Sequence, residues 1–228
     1  MSYKILLFDL DDTLLDFSTN EADSLNQLFK LHGFAFSDEL FRAYNSVNKK
    51  LWADYENGRI TLDAVLNSRF SETMLRLGNV VDGIEWENEY RELLGNGCQL
   101  VEGALDVCQS LSASHRLFVI TNGITQTQIK RLKKSGLYEY FEDIFDSQSI
   151  GYQKPSKEFF DYVMTHINDF KKDEALIIGD SLNTDIKGGL LSEIDTCWIN
   201  KTSQKFSTEI PSTYMITNLV ELCDICTK

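Results

Sequence analysis

Four short apolar runs, each closing on a polar cluster, constrain this chain more than any other feature. Ile5 to Phe8 runs into Asp9, Leu117 to Ile120 into Thr121, Ile144-Phe145 into Asp146-Ser147, and Ala175 to Ile178 into Gly179-Asp180. Runs this short, rich in Ile, Leu and Phe and bounded by turn residues, read as strands buried on both faces. Helical patterns over Gly103 to Leu111, Thr125 to Lys134, Ser156 to Ile167 and Asn183 to Leu191 separate or follow them. Alternation of this kind predicts an α/β fold with a parallel sheet and helices on both faces. Cys197-Trp198-Ile199 and Tyr214-Met215-Ile216 supply further, outer strands. In such a sheet a ligand lies beyond the carboxyl ends of the strands, and every polar cluster named above falls at such an end.

The stretch 16–99 has a different pattern. Leu40, Tyr44, Val47, Leu51 and Tyr55 recur at helical spacing between Ser37, an N-cap, and Gly58, a stop. A second helix starts near Thr61, carries Leu62, Val65, Leu66, Phe70 and Met74, and ends at Gly78. Glu21 to Leu31 and Ile84 to Leu94 are two more, closed by Gly33 and Gly95. A parallel crossover needs only about a dozen residues. The segment therefore reads as an all-helical cap domain, 16–99, inserted into a catalytic core formed by 1–15 and 100–228.

Bulk composition excludes several classes of function. The 228 residues carry 35 Asp+Glu against 22 Lys+Arg, a formal charge of −13, which repels nucleic-acid polymers and anionic lipid. No run approaches the roughly 18 apolar residues that span a bilayer. The N-terminal apolar run ends in aspartates, unlike a signal peptide. The five cysteines are odd in number and scattered, which suits a reducing, cytoplasmic setting. Cys223 and Cys226 have the spacing of a metal pair but no second pair to complete a zinc site, so they read as terminal-helix residues.

Chemistry is concentrated at the strand ends. In an extended chain Asp9, Asp11 and Thr13 point to one side while Leu10 points into the core and Asp12 away. Two carboxylates so placed imply a cation or a shared proton. Asp180 and Asp185 bring a second acidic cluster to the same mouth, and hard oxygen ligands with room for water suit Mg²⁺. Thr121, Asn122 and Gly123 form a hydroxyl-bearing turn that opens a helix and offers donors to an anion. Lys154-Pro155 follows the third strand and supplies a cation.

Asp9-x-Asp11-x-Thr13, Thr121-Asn122, Lys154-Pro155 and Gly179-Asp180-x4-Asp185 together resemble the four motifs of haloacid dehalogenase superfamily phosphatases, over nearly the whole chain. Gly151-Tyr152-Gln153-Lys154-Pro155, Gly179-Asp180-Ser181-Leu182 and Asp195-Thr196-Cys197-Trp198 resemble the pyrimidine 5′-nucleotidase branch more narrowly. The resemblance implies a Rossmann-like core with a helical cap, and a Mg²⁺-dependent phosphomonoesterase acting on a small phosphorylated metabolite, with nucleoside monophosphates favoured. It implies Asp9 as nucleophile and Asp11 as acid and then base. Mg²⁺ would rest on Asp9, the Asp11 backbone carbonyl and Asp180, with Asp185 a ligand or one step behind. Thr121 and the amides near Asn122 and Gly123 would hold phosphoryl oxygens, and Lys154 would balance charge. Trp52, Tyr55 and Arg59 lie together in the cap as candidates for substrate choice, with Tyr55 also on the apolar face of its helix.

Two positions depart from the pattern: relatives usually carry an acid where Gln148 or Ser149 stands, and Ala-Gly where Ser192-Glu193 stands. Competing readings are a sugar phosphatase or phosphomutase of the same superfamily, which shares all four motifs, and a receiver-type phosphoacceptor module, to which the helical insert is surplus. A haloacid dehalogenase proper would not need Asp11 or the Asp180/Asp185 pair.

Overall fold

The computed structural model describes residues 3–201 and 209–226. By contact the chain divides into two compact units, one comprising 1–17 and 98–228, the other 18–97. In the first unit six strands form one sheet: β1 (Ile5–Phe8), β2 (Arg116–Thr121), β3 (Asp143–Asp146), β4 (Ala175–Gly179), β5 (Asp195–Ile199) and β6 (Tyr214–Ile216). Their order is β3-β2-β1-β4-β5-β6, and every neighbouring pair is parallel.

Alternation along β1 divides the core into two layers. Leu6 and Phe8 join a cluster with Leu117, Val119, Leu176, Ile178 and Cys197 on one face. Ile5 and Leu7 join Phe118, Ile120, Ala175 and Ile177 on the other. A run that is apolar at every position is what a strand covered on both sides requires. The first face is closed by α5 (Ala104–Ser112) and the short terminal α10 (Leu222–Cys226) through Val107, Cys108, Leu111, Leu222 and Cys226. The second is closed by α8 (Lys157–His166) through Phe159, Phe160 and Val163. Two further helices, α6 (Thr125–Ser135) and α7 (Ser147–Ile150), follow β2 and β3 directly, and α9 (Lys187–Ser192) follows β4 through a wider π-type turn at Leu182–Ile186. The connection after β3 passes to the far side of β1, so the order reverses there. Open α/β sheets bind ligands at that switch point.

The second unit holds α1 (Phe17–Leu31, its first residue in the other unit), α2 (Asp38–Glu56), α3 (Leu62–Arg76) and α4 (Gly83–Leu94). The expected cap is in place, with Ser37 Oγ accepting the Leu40 N–H at 3.3 Å, and Thr61 Oγ1 likewise accepts that of Ala64 at 3.2 Å. Asp82 Oδ1 accepts from both Ile84 and Glu85 at 3.0 Å. Helix α1 begins one turn before the apolar pattern suggests. At the unit's centre the Arg69 guanidinium forks onto Glu87 at 2.6 and 2.7 Å and lies 4.7 Å from the Tyr90 ring centroid. Both ionic side chains are buried.

Ser192-Glu193, where the resemblance leads one to expect Ala-Gly, closes α9 in an unusual way. Glu193 ends α9 with φ of 58°, in the left-handed region that glycine enters without cost. The acid instead holds that conformation while pairing with Lys172 at 3.0 Å on the surface.

Candidate active site

The ends of β1, β2 and β4, with the loop between α7 and α8, bring Asp9, Asp11, Thr121, Lys154, Asp180 and Asp185 to one edge of the sheet. Lys154 Nζ, almost wholly buried, donates to Asp9 Oδ1 at 2.7 Å, Asp185 Oδ1 at 2.7 Å and the Ile120 carbonyl at 2.9 Å. Carboxylate oxygens of Asp9, Asp180 and Asp185 all lie within 4.8 Å of one another. A Cβ at Gly179 would overlap the Asp185 carboxylate, so only glycine lets that side chain lie against the end of β4.

Three carboxylates around one ammonium set the local electrostatics. Burial raises Asp9 well above the ordinary carboxylate range; Asp185 and Asp180 add to the rise, and Lys154 opposes it. Asp180 is pushed up to about 7 by burial, then by Asp185 and Asp12, against Lys154 and Lys201. For Lys154 burial works to lower the pKa, but Asp185 and Asp9 outweigh it and hold the amine above its ordinary range. Anionic charge thus exceeds cationic charge at this point, as a cation site requires.

The first motif stays extended only as far as Asp11. The chain turns at Asp12, whose φ is 57°, and the Leu14 and Leu15 amides both donate back to the Leu10 carbonyl at 2.9 Å. This turn, and not strand alternation, returns Thr13 to the site, where its hydroxyl donates to Asp9 Oδ2 at 3.0 Å. Asp12 is not remote either, since its charge acts on Asp180 and its carbonyl accepts the Lys201 ammonium.

The Thr121-Asn122-Gly123 turn has partners of its own within the protein. The Asn122 side chain clamps the Lys154 peptide, accepting its N–H at 2.8 Å and donating to its carbonyl at 3.0 Å. That side chain is therefore not a phosphate ligand; it fixes the lysine. The Gly123 N–H is likewise committed, to Thr121 Oγ1 at 3.0 Å. Asp185 also has both oxygens engaged, since Oδ2 accepts the Ser181 N–H at 3.2 Å.

Two residues that the motif reading did not single out complete the site. Gln128 Nε2 donates to Asp11 Oδ2 at 2.7 Å, and Arg131 Nη1 donates to Asp11 Oδ1. Both lie on α6 and both are buried. Gln148, one of the two positions at which the resemblance leads one to expect an acid, puts its amide oxygen 3.3 Å from the Thr125 N–H and 3.2 Å from its hydroxyl, so an acceptor stands at the start of α6.

In the helical unit, Tyr55 is buried in an apolar cluster with Val47, Leu51 and Val65, and Trp52 packs edge-on against it at 5.7 Å. Its ring is spent on packing. Arg59 is exposed and pairs with Asp54 at 2.9 Å. Among the cysteines, Cys226 is buried in the core with its thiol pushed up to about 12, by burial first and Cys223 second. Among the described residues no cysteine joins a metal-type cluster.

A family model for haloacid dehalogenase-like hydrolases matches residues 3–191. The chain belongs to this family. It is 44% identical to HAD-hydrolase YfnB of Bacillus subtilis, over 98% of this chain and 95% of that protein. It is 38% identical to pyrimidine 5′-nucleotidase PynA of Streptococcus pneumoniae, over 100% of this chain and 97% of the other. The figure for pyrimidine 5′-nucleotidase YjjG of Escherichia coli is 31%, over 100% of both chains. A crystal structure of YfnB bound to magnesium superposes with a TM-score of 0.96 at 42% identity, covering 100% of each chain. Among the described residues no helix is long and apolar enough to cross a membrane.

Proposed function

We propose that this member of the haloacid dehalogenase-like hydrolases is a Mg²⁺-dependent phosphomonoesterase that transfers the phosphoryl group to Asp9, with pyrimidine nucleoside 5′-monophosphates as substrates. The observation that carries the reading is the position of Asp9. Its carboxylate is held at one oxygen by Lys154 and at the other by Thr13, within a cluster of acids at the sheet's switch point. A nucleophile gripped at both oxygens is fixed in orientation before substrate arrives.

Asp9, Asp180, the Asp11 carbonyl and, directly or through Asp180, Asp185 would hold Mg²⁺; when bound, the ion supplies charge that offsets repulsion between nucleophile and phosphoryl oxygens. An Asp9 oxygen forms a bond to phosphorus as the bond to the leaving oxygen breaks. Asp11 gives that oxygen its proton. Water then attacks the aspartyl-phosphate, Asp11 takes a proton from it, and the Asp9–phosphorus bond breaks to release phosphate. Thr121 and the Asn122 backbone amide bind phosphoryl oxygens, and Lys154 balances the charge that gathers on Asp9 and the phosphoryl group. The pyrimidine nucleotidase relatives, aligned over the whole chain, support the choice of substrate.

The test is a Mg²⁺-dependent phosphate-release screen across UMP, dUMP, dTMP, purine nucleotides and sugar phosphates, with Asp9→Asn as control. Fastest turnover on the pyrimidine nucleotides, lost in Asp9→Asn, is the expected result. Activity that survives Asp9→Asn removes the nucleophile assignment, and much faster turnover of sugar phosphates removes the substrate assignment.

A further inference from the structure

The Gln128 amide and the Arg131 guanidinium form a hydrogen-bond chain whose polarity can be assigned from donor and acceptor chemistry alone. A guanidinium only donates, and a carboxylate, the form in which Asp11 acts as base, only accepts. Arg131 Nη1 lies 3.0 Å from Gln128 Oε1, so the amide oxygen faces the arginine. The amide nitrogen then faces Asp11 Oδ2 at 2.7 Å and Thr121 Oγ1 at 3.1 Å, with one hydrogen for each. Both ends of the amide agree on this orientation.

The consequence falls on Thr121. Its hydroxyl oxygen already accepts from Gln128 and from the Gly123 N–H at 3.0 Å, which fills both lone pairs. What remains is its hydrogen, and among the described residues no protein acceptor takes it. Thr121 is buried. A buried hydroxyl forced to donate, with no acceptor in the protein, is prepared for an anionic oxygen.

Gly123 belongs to the same device. A Cβ there would overlap the Gln128 side chain, whereas its backbone needs no left-handed conformation. The glycine is required for the approach of Gln128. Arg131 is itself fixed, being buried and stacked 5.5 Å from the Phe17 ring centroid.

We infer that Gln128, locked by Arg131, is a positioning residue that directs the Thr121 hydroxyl toward the phosphoryl group and anchors the Asp11 carboxylate. One side chain thereby ties phosphoryl binding to proton transfer. The inference rests on the roles given to Thr121 and Asp11 under the proposed function.

The experiment compares wild type with Gln128→Glu, Gln128→Leu, Arg131→Lys and Asp11→Asn. Each is assayed on 4-nitrophenyl phosphate, whose leaving group needs no proton, and on the nucleoside monophosphate turned over fastest, whose alkoxide does. Inorganic phosphate is titrated as an inhibitor in parallel, and melting temperature monitors folding. Gln128→Glu keeps the shape and the acceptor for Arg131 but loses both donors, so the Thr121 hydrogen turns inward. The expected result is a fall in kcat of about 10²-fold on the nucleotide, a much smaller fall on 4-nitrophenyl phosphate, and phosphate inhibition weaker by about tenfold. Gln128→Leu should follow the same pattern, and Arg131→Lys should show it in weaker form. Equal losses on both substrates with unchanged phosphate inhibition would overturn the inference while leaving the proposed function standing. If Asp11→Asn itself fails to discriminate the two substrates, the role given to Asp11 falls, and this inference with it.

Discussion

Replacing Lys154 with methionine keeps an unbranched stem in place while deleting one charge and three hydrogen bonds, to Asp9, Asp185 and the Ile120 carbonyl. The acids within reach are Asp9, Asp180 and Asp185, so a formal −3 loses its buried cation and keeps only Lys201, acting on Asp180. Removing one partner of a buried ion pair costs about 3–5 kcal/mol, because the remaining charge stays buried. The folded variant escapes part of that cost by taking up protons. Each proton bound in the folded state but not in the unfolded one recovers about 1.4 kcal/mol per pH unit of acidification. Lys154→Met should therefore lose about 3–5 kcal/mol at pH 8 in the absence of divalent cations, and markedly less at pH 6. Urea unfolding at the two pH values measures this. The chain has three tryptophans, with Trp198 on β5 in the first unit and Trp52 and Trp86 in the second, so single-tryptophan versions assign the loss to a unit. A loss confined to the unit that holds Trp198 is expected. An equal loss at pH 6 and pH 8, or one below about 1 kcal/mol at pH 8, would refute the electrostatic account of the site.

Two further outcomes follow from the same charges and from the second unit. The folded-state pKa of Asp180 is about 7, and that of Asp9 is also raised, so the folded protein binds more protons than the unfolded chain and cation-free stability falls as pH rises through roughly 4 to 7. Because Mg²⁺ competes with those protons, its thermal stabilisation should be small at pH 5.5 and large at pH 8; equal shifts at the two would contradict the ligand assignment. In the helical unit, Arg69→Met should cost about 3–5 kcal/mol by leaving Glu87 buried, and the double variant Arg69→Met/Glu87→Met should cost less than the single one. A double-mutant cycle in urea measures both, and a double variant less stable than the single would show that the pair stabilises outright.

The α/β architecture could be read from the sequence because a strand covered on both faces leaves a plain mark. Ile5 to Phe8 has no polar position, and the structure divides those four side chains between two opposed clusters. The insert's helices were legible for the opposite reason: Leu40, Tyr44, Val47 and Leu51 repeat with one apolar stripe, Ser37 caps where a cap was expected, and the next helix starts at Thr61 as read. Turns were less legible. Strand alternation put Thr13 beside Asp9, and Thr13 is there, but through a left-handed turn at Asp12 that alternation does not describe. The partners of the Asn122 side chain and the Gly123 amide were equally hidden from the sequence. Both supply groups able to meet an anion, yet the Asn122 side chain is consumed by the Lys154 peptide and the Gly123 amide by Thr121.

The Gln128–Arg131 pair was missed because motif reading stops at the strand end, and these residues lie one to two turns into the following helix. A signal was nonetheless present. On α6 the buried residues are Thr127, Gln128, Arg131 and Leu132, a core-facing stripe at helical spacing that is polar at three of its four positions. Long polar side chains are rarely fully buried without partners, since an unpaired polar group in the core costs more than an apolar one returns. A polar stripe on an otherwise inward helix face therefore predicts a buried network, and the acids that could complete it lie at the neighbouring strand end. Among the acids at the mouth, Asp9 and Asp185 meet Lys154, and Asp11 meets Arg131. The two cations thus take different acids: Lys154 steadies the proposed nucleophile, and Arg131 holds the proposed proton donor.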